Sequence, residues 1–260
     1  MPADANVFDS HLDAWDAYLA TPWAHARYDV VSHVLDETLA RLGPAPLRVV
    51  DLGGGDGLDS VRLAAAGHEV TIVDQAPGML ARARASAARV GCSSRLRIVE
   101  SDLPGWRPDQ QYDVALCHFV LHYLEPVGEH RVWRLLREAL RPGGAASVIC
   151  PNPVSEVLRA VHRDGDPDLA FRRFHGEPVR TPTFDREVRQ LHRSAAERSA
   201  GDAGLDVTRR VGLRVAVDLL PEGAAKHDDN NYPDILRLEL ALAERQPYLD
   251  IARAWQLLLR

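Results

Sequence analysis

The chain predicts an α/β fold, a parallel sheet with helices on both faces, and two observations carry that reading. Short β-branched runs recur along its first half at Leu47–Leu52, Glu69–Asp74, Leu96–Val99, Tyr112–Cys117 and Ala146–Cys150. Between them lie stretches of helical spacing, most of them roughly 10–15 residues long, the alternation expected of βαβ units. Right-handed crossovers then set the hand of the fold.

Taken in order, residues 8–42 predict an N-terminal helical region, with Val30, Val31, Val34, Leu35, Leu39 and Leu42 near helical spacing. Gly43-Pro44-Ala45-Pro46 stops it. A glycine-rich loop follows the first strand, then a helix through Val61, Leu63 and Ala64 to Gly67. Further helices are expected from about Pro77 to Val90 and over 129–140, the latter ending at Arg141-Pro142-Gly143-Gly144. Residues 152–183 carry Pro, Gly, Asp and Arg without a period and predict an inserted cap over the strand ends. Next come a helix over Phe184–Arg198, a strand-like stretch Leu205–Leu219, a polar loop around Lys226–Asn231 and a helix near 233–245. Ile251–Leu259 stays open between a helix, favoured by its composition, and a final strand completing the sheet. These pieces divide one domain, 1–260, into a helical segment 1–46, a core 47–151, and a cap with sheet completion over 152–260.

Composition bounds the function. With 46% hydrophobic and 26% charged residues among 260, a large core needs no metal or disulfide to hold it. No stretch approaches the roughly 18–20 apolar residues of a membrane span, and the acidic start MPADANVFDSHLDAWD lacks the order of a signal peptide. Cys92, Cys117 and Cys150 are far apart and read as thiols in a reducing compartment, so a cytoplasmic protein without a membrane partner is expected. A net charge of −6 leaves no global basic footprint for nucleic acid.

In an open α/β sheet, ligands sit beyond the carboxyl ends of the strands. There the chain places Asp51-Leu52-Gly53-Gly54-Gly55-Asp56-Gly57, whose glycines allow a tight turn and close approach of a ligand to the backbone. The dinucleotide pattern G-x-G-x-x-G, begun at Gly53, would need glycine where Leu58 stands. No lysine is present for a P-loop. The competing reading is a plain tight turn. Asp74, 17 positions after Gly57, ends the second strand, where a carboxylate can accept from both hydroxyls of a ribose. Asp102 follows the third strand and is placed for an adenine amino group.

The combination of Asp51, Gly53-x-Gly55-x-Gly57, Asp74, Asp102 and Arg141-Pro142-Gly143-Gly144 resembles class I S-adenosylmethionine-dependent methyltransferases over residues 47–150. The resemblance implies a Rossmann-like, mostly parallel seven-stranded sheet with a cap insertion. It implies S-adenosylmethionine as cofactor, held by Asp51, Gly53, Gly54, Gly55, Asp74, Gln75, Asp102 and Leu103. The cofactor carries a sulfonium and an ammonium, so acids rather than phosphate-binding arginines suit its pocket. Its methyl is already activated, and holding a nucleophile in line can supply much of the acceleration without a catalytic side chain.

Arg27-Tyr28-Asp29-Val30-Val31, Cys117-His118-Phe119-Val120-Leu121, Gly212-Leu213-Arg214-Val215 and the stretch Leu238 to Tyr248 narrow the likeness. Together they resemble bacterial tRNA 5-carboxymethoxyuridine methyltransferases, which esterify a carboxylate on a wobble uridine. By that resemblance Arg27 pairs with the cofactor's methionine carboxylate and His118 sits beside the cofactor. Members of that family can carry a lysine-rich loop in the insertion. Here Phe171-Arg172-Arg173-Phe174-His175-Gly176-Glu177-Pro178-Val179-Arg180 stands instead. Arg172, Arg173 and Arg180 could meet phosphates, and Phe171 or Phe174 could stack on a base. The favoured alternative is a cap with aromatics packed inward and arginines solvated.

His118 and His122 have the spacing of a metal pair on one helix face, but no third ligand accompanies them, and no metal is expected. His122, Tyr123 and Asn152 are candidate groups facing the substrate. The expected reaction is methylation of a carboxylate or hydroxyl, with either tRNA or a small molecule as acceptor. A carboxylate is already ionised near neutral pH. A phenol or amine would want a base, for which His122 is the nearest candidate. Two other readings are a cofactor-binding module without activity and, more remotely, a nicotinamide dehydrogenase.

Overall fold

The computed structural model describes residues 8–181 and 183–260; of the expected N-terminal segment, residues 1–7 lie outside them, as does residue 182 of the insertion. The helical region expected over 8–42 forms two helices, α1 (Leu12–Leu19) and α2 (Pro22–Leu42). The break falls at Thr21, whose hydroxyl accepts the Ala24 N–H at 3.2 Å, with proline at the next position. This is an N-cap followed by the residue best suited to a first helical turn.

Five strands alternate with helices as expected. They are β1 (Arg48–Leu52), α3 (Leu58–Ala65), β2 (Glu69–Asp74), α4 (Pro77–Arg89), β3 (Leu96–Glu100), β4 (Tyr112–His118), α5 (Pro126–Ala139) and β5 (Leu140–Pro151). Strand β5 begins earlier than expected. The Arg141–Gly144 stretch lies inside it as an irregular start, with Gly143 at φ 76, and Arg141 is paired with Asp113. The insertion folds into α6 (Pro153–His162), α7 (Pro167–Phe174) and a hairpin of β6 (Val179–Thr181) with β7 (Arg186–Val188). That hairpin occupies the start of the helix expected over 184–198. Asp185 turns it in the left-handed region, at φ 47, while pairing with Arg180, and the helix α8 forms later, at Arg193–Asp202.

The rest of the chain completes the sheet with β8 (Val207–Leu213), α9 (Tyr232–Leu242) and β9 (Ala254–Leu259). Strand β8 is shorter than the expected 205–219. Arg214 turns the chain at φ 61, and the N–H groups of Val215, Ala216 and Val217 donate to the buried Glu239 carboxylate at 2.8–2.9 Å. The seven-stranded sheet has the order β3-β2-β1-β4-β5-β9-β8. Pairs from β3 to β5 are parallel, and β9 is antiparallel to both β5 and β8. Ile251–Leu259 is thus resolved largely as strand. Every residue of β9 is buried, so it shows no period-two alternation.

Both faces of the sheet are covered. Val50, Ala115, Cys117, Val148 and Leu257 pack with Trp133 and Leu136 of α5 and Ala196 and Ala200 of α8. Val49, Val114, Leu116, Ile149 and Leu258 pack on the other face with α2 and α3 through Val31, Leu35, Val61 and Leu63. Among the described residues no helix is long and apolar enough to cross a membrane.

Candidate active site

The carboxyl ends of β1, β2, β4 and β5 open into a cavity of about 400 Å³ roofed by the N-terminal helices and the cap, a size suited to a small-molecule ligand. Its floor starts at the glycine loop. Gly53 lies at φ 74, and a Cβ there would stand 2.5 Å from Val120 Cγ2. A Cβ on Gly54 would stand 2.6 Å from Asp51 Oδ2. Glycine at both positions therefore lets the loop lie against β4 and over Asp51, leaving backbone as the wall of the cavity.

Two carboxylates brace that loop. Asp74 accepts the Gly55 N–H at 2.9 Å with one oxygen and the Ala76 N–H at 2.8 Å with the other, tying the ends of β1 and β2. Burial raises its pKa against the opposing pull of those N–H groups. Asp51 is buried beneath the loop and accepts the Ser60 hydroxyl at 2.7 Å, and burial pushes its carboxyl up to about 6. Gln75, Asp102 and Leu103 line the same end. Asp102 is exposed, and its carboxylate has no intramolecular partner among the described residues.

Arg27 enters from α2. Its guanidinium carbon lies 3.9 Å from the centre of the Tyr28 ring, 4.8 Å from Phe119 and 5.6 Å from Tyr18. Phe119 holds its place at φ 57, a left-handed conformation that costs a non-glycine residue about 1–2 kcal/mol. Burial disfavours the charge on Arg27, but Tyr28, Tyr18, Asp59 and Asp56 together raise its pKa. Among the described residues the side chain makes no hydrogen bond or ion pair. The result is a buried, charged guanidinium facing a cavity, caged by aromatic faces and stabilised at longer range by Asp59 and Asp56.

His118 lines the cavity too, within a buried chain of hydrogen bonds. Gln256 donates to Ser147 Oγ at 2.9 Å, Ser147 lies 2.8 Å from His118 Nε2, and His118 Nδ1 lies 2.9 Å from Asp59. The order is satisfied when Nδ1 carries the proton. Burial raises the Asp59 pKa, but His118, Arg27 and Arg62 bring it below the ordinary value. Residues spaced for a metal in the sequence do not share a helix face: His118 ends β4 and His122 sits in a 3-10 turn, Leu121–Tyr123.

His122 and Tyr123 line the cavity. His122 is buried with Nδ1 unpartnered among the described residues, and burial, reinforced by Arg186 and Arg189, pulls its pKa down to about 3. Asn152 does not join them. Its amide donates to the Asp250 and Ala252 carbonyls at 2.8 and 2.9 Å, and its oxygen accepts the Val154 N–H as the cap of α6. A carboxamide with all these partners holds the cap in place rather than meeting a ligand.

The cap also departs from expectation. Phe171 and Phe174 are 64% and 72% exposed, so they do not pack inward. Arg172 and Arg180 are solvent-exposed, as expected, but are also paired. Arg172 pairs with Asp168 and Glu177, Arg173 with Glu177, and Arg180 with Asp185.

Several lining residues escape a motif reading. The roof consists of Phe8, Trp15 and Tyr18. Trp15 donates to Asp56 at 2.6 Å, and Asp9 accepts from the Gly78 and Met79 N–H groups at 3.2 Å. Phe184 of the cap stacks on Trp15 at 5.7 Å, joining roof to cap. Opposite the acids, five arginines line the cavity: Arg159 and Arg163 from α6, Arg186 from β7, and Arg214 and Arg253 flanking β8 and β9. Trp15 and Tyr18 carried an ordinary amphipathic signal; of the arginines only Arg214 stood in a stretch that marked the likeness, and without a role.

Residues 49–144 match the family model described as a methyltransferase domain. The chain is 29% identical over 225 residues to the tRNA 5-carboxymethoxyuridine methyltransferase of Escherichia coli (strain K12), covering 84% of this chain and 82% of that protein. It is 30% identical over 176 residues to the ubiquinone biosynthesis O-methyltransferase of Pseudomonas savastanoi pv. phaseolicola, covering 66% and 70%. Its fold matches the magnesium protoporphyrin IX methyltransferase of Synechocystis PCC 6803, crystallised with bound SAH, with a TM-score of 0.64 at 15% identity over 96% of this chain and 94% of that one. Sheet order, cavity and relatives agree: the chain belongs to the S-adenosylmethionine-dependent methyltransferase family.

Proposed function

We propose that the enzyme methylates a carboxylate oxygen of an anionic acceptor, and the division of charge within its cavity carries this reading. Asp51, Asp56, Asp59, Asp74 and Asp102 line the β1–β2 end, Arg159, Arg163, Arg214 and Arg253 the other, with Arg186 over the Tyr123 ring past β4. The first end suits a ligand with a sulfonium and an ammonium, the second an acid.

The residues at the first end fit S-adenosylmethionine. Asp74 would hold the ribose hydroxyls, and Asp102, Leu103 and Gln75 the adenine side. The backbone at Gly53, Gly54 and Gly55 would border the methionine portion above Asp51. Arg27, caged and unpaired, would take its carboxylate, with His118 alongside. Bound S-adenosylmethionine supplies a methyl activated on a sulfonium, so a carboxylate oxygen forms the C–O bond as the C–S bond breaks and S-adenosylhomocysteine is left.

For that acceptor the protein has no proton to remove. This agrees with His122, whose burial leaves it neutral and a weak base; it and Tyr123 would orient the acceptor. The name of the Escherichia coli relative favours a carboxymethoxyuridine in tRNA as that acceptor. A second reading, a small acidic metabolite, is favoured by the internal pairing of the cap arginines and the net charge of −6. Incubation with methyl-labelled cofactor, total tRNA and a pool of small carboxylates tests both. A label released by mild alkali, as from a methyl ester, supports the reading, and an alkali-stable label overturns it. Salt-sensitive binding of the labelled acceptor selects tRNA.

A further inference from the structure

The arginine end has more structure than one reacting carboxylate needs. Arg159 and Arg253 share a single acid, Glu156: Arg159 lies 3.3 Å from one oxygen and Arg253 pairs with the other. Glu156 stands behind them, on the wall of a second cavity of about 240 Å³ that shares Pro151, Arg159, Thr181 and Arg253 with the first. Arg214 pairs with Asp218 at 2.6 Å, leaving its Nε buried and unpartnered. Three largely buried guanidiniums are thus opposed by two carboxylates. Burial, then the charge of Arg253, disfavours the charge on Arg159. A buried surplus of positive charge is costly until an anion meets it.

Position separates this cluster from the reacting end. Pro151 closes β5 opposite Ala254 of β9, and Ala254 pairs with Leu213 of β8. Arg253 and Arg214 adjoin those residues, two and three strands from β4. At about 4.8 Å per strand that is roughly 10–15 Å along the sheet edge. The left-handed Arg214 is fixed there by the three N–H groups that follow it, all held by Glu239.

We propose that Arg159, Arg214 and Arg253 bind a second, non-reacting anionic group of the methyl acceptor, a carboxylate or phosphate two to three strands from β4. The inference rests on the proposed transfer to an acidic acceptor oxygen, which His122 and Tyr123, just past β4, would orient. Glu156 and Asp218 anchor the guanidiniums from behind and leave their remaining N–H groups to the ligand. Acceptors with one acidic group fill only the reacting end.

Binding to protein saturated with S-adenosylhomocysteine tests this by calorimetry. One arm compares α,ω-dicarboxylates, from succinate to dodecanedioate, with monocarboxylates of equal length. The other compares a carboxymethoxyuridine anticodon loop with the same loop bearing neutral methylphosphonates beside that base. In one arm or the other, the doubly charged probe should bind about tenfold tighter or more, the scale of charge-assisted hydrogen bonds. The arm that shows the gain identifies the source as free acid or phosphate. Arg253→Ala and Arg214→Gln should each reduce the gain, with S-adenosylhomocysteine affinity held as the check on folding. If Arg253→Ala fails that check, Arg214→Gln decides. The inference is overturned if neither arm shows a gain in the natural protein, or if the gain survives substitution. Formation of an alkali-labile methyl ester is scored separately. A gain without the ester removes the proposed reaction and leaves the anion site, and the ester without a gain does the reverse.

Discussion

The two ends of the cavity are built on opposite principles. At the β1–β2 end, Asp74 is held by backbone, on the Gly55 and Ala76 N–H groups, while Asp51 lies on the Ser60 hydroxyl beneath the loop. At the β5–β9–β8 end, arginines are held by side chains, on Glu156 and Asp218. Backbone bracing ties the first end to one loop shape, as the proposed cofactor site requires. Side-chain bracing lets the second change by substitution without disturbing the sheet. A fold that keeps its methyl donor while varying its acceptor needs that division.

The largest effect that sharpens this comparison is expected at the boundary, from His122. Its pKa in the fold is about 3 against an ordinary 6.5. Between those values the unfolded chain binds a proton that the folded one excludes. Stability therefore rises with pH through this window and is lost as pH falls, by about 4–5 kcal/mol in all. Asp51 works the other way: with its carboxyl raised from 3.8 to about 6, the folded protein binds more protons there and stability falls as pH rises from 4 to 6. His122→Asn should flatten or reverse the slope of melting temperature between pH 4 and 6. An unchanged slope would show that His122 is hydrated in the fold.

Next is the glycine loop. Gly53→Val meets Val120 and needs a left-handed backbone, for a combined cost of about 2–5 kcal/mol. A lower melting temperature and loss of S-adenosylhomocysteine binding are expected. Asp74→Ala should weaken that binding by about 1–3 kcal/mol, the scale of lost hydrogen bonds to a charged group. Calorimetry giving unaltered affinity in a folded variant would take Asp74 out of the site and blur the contrast between the ends. The smallest effect lies outside the cavity. Phe174→Ser on the exposed face of α7 should change stability by no more than about 0.5 kcal/mol. If Phe174 stacks on a tRNA base, the same substitution should weaken tRNA binding by about 1–3 kcal/mol in a gel-shift titration.

The first end was legible in the sequence because its residues are nearly contiguous: the run Asp51–Gly57, Asp74 and Gln75 after one helix, Asp102 after the next strand. The second end was not. Arg159, Arg214 and Arg253 come from a cap helix and the flanks of two antiparallel strands, and only the tertiary fold brings them together. Long-range satisfaction of backbone groups also misled the local reading. Strand β8 stops early because Glu239, on α9, takes the next three N–H groups. Asn152 looked available because its partners are carbonyls about a hundred residues away in sequence. The break at Thr21-Pro22 had a local signal, a capping residue before proline, that went unread.

The place of β9 in the sheet sets an order of assembly. Because β8 pairs with β9 and β9 with β5, β8 has no neighbour until residues 254–259 have left the ribosome. The glycine loop proposed to hold the methyl donor lies some two hundred residues earlier, and β1 pairs with β2 and β4 without that segment. The arginine wall is therefore complete only once β9 is in place, and so is the His118 network, which Gln256 of β9 reaches through Ser147.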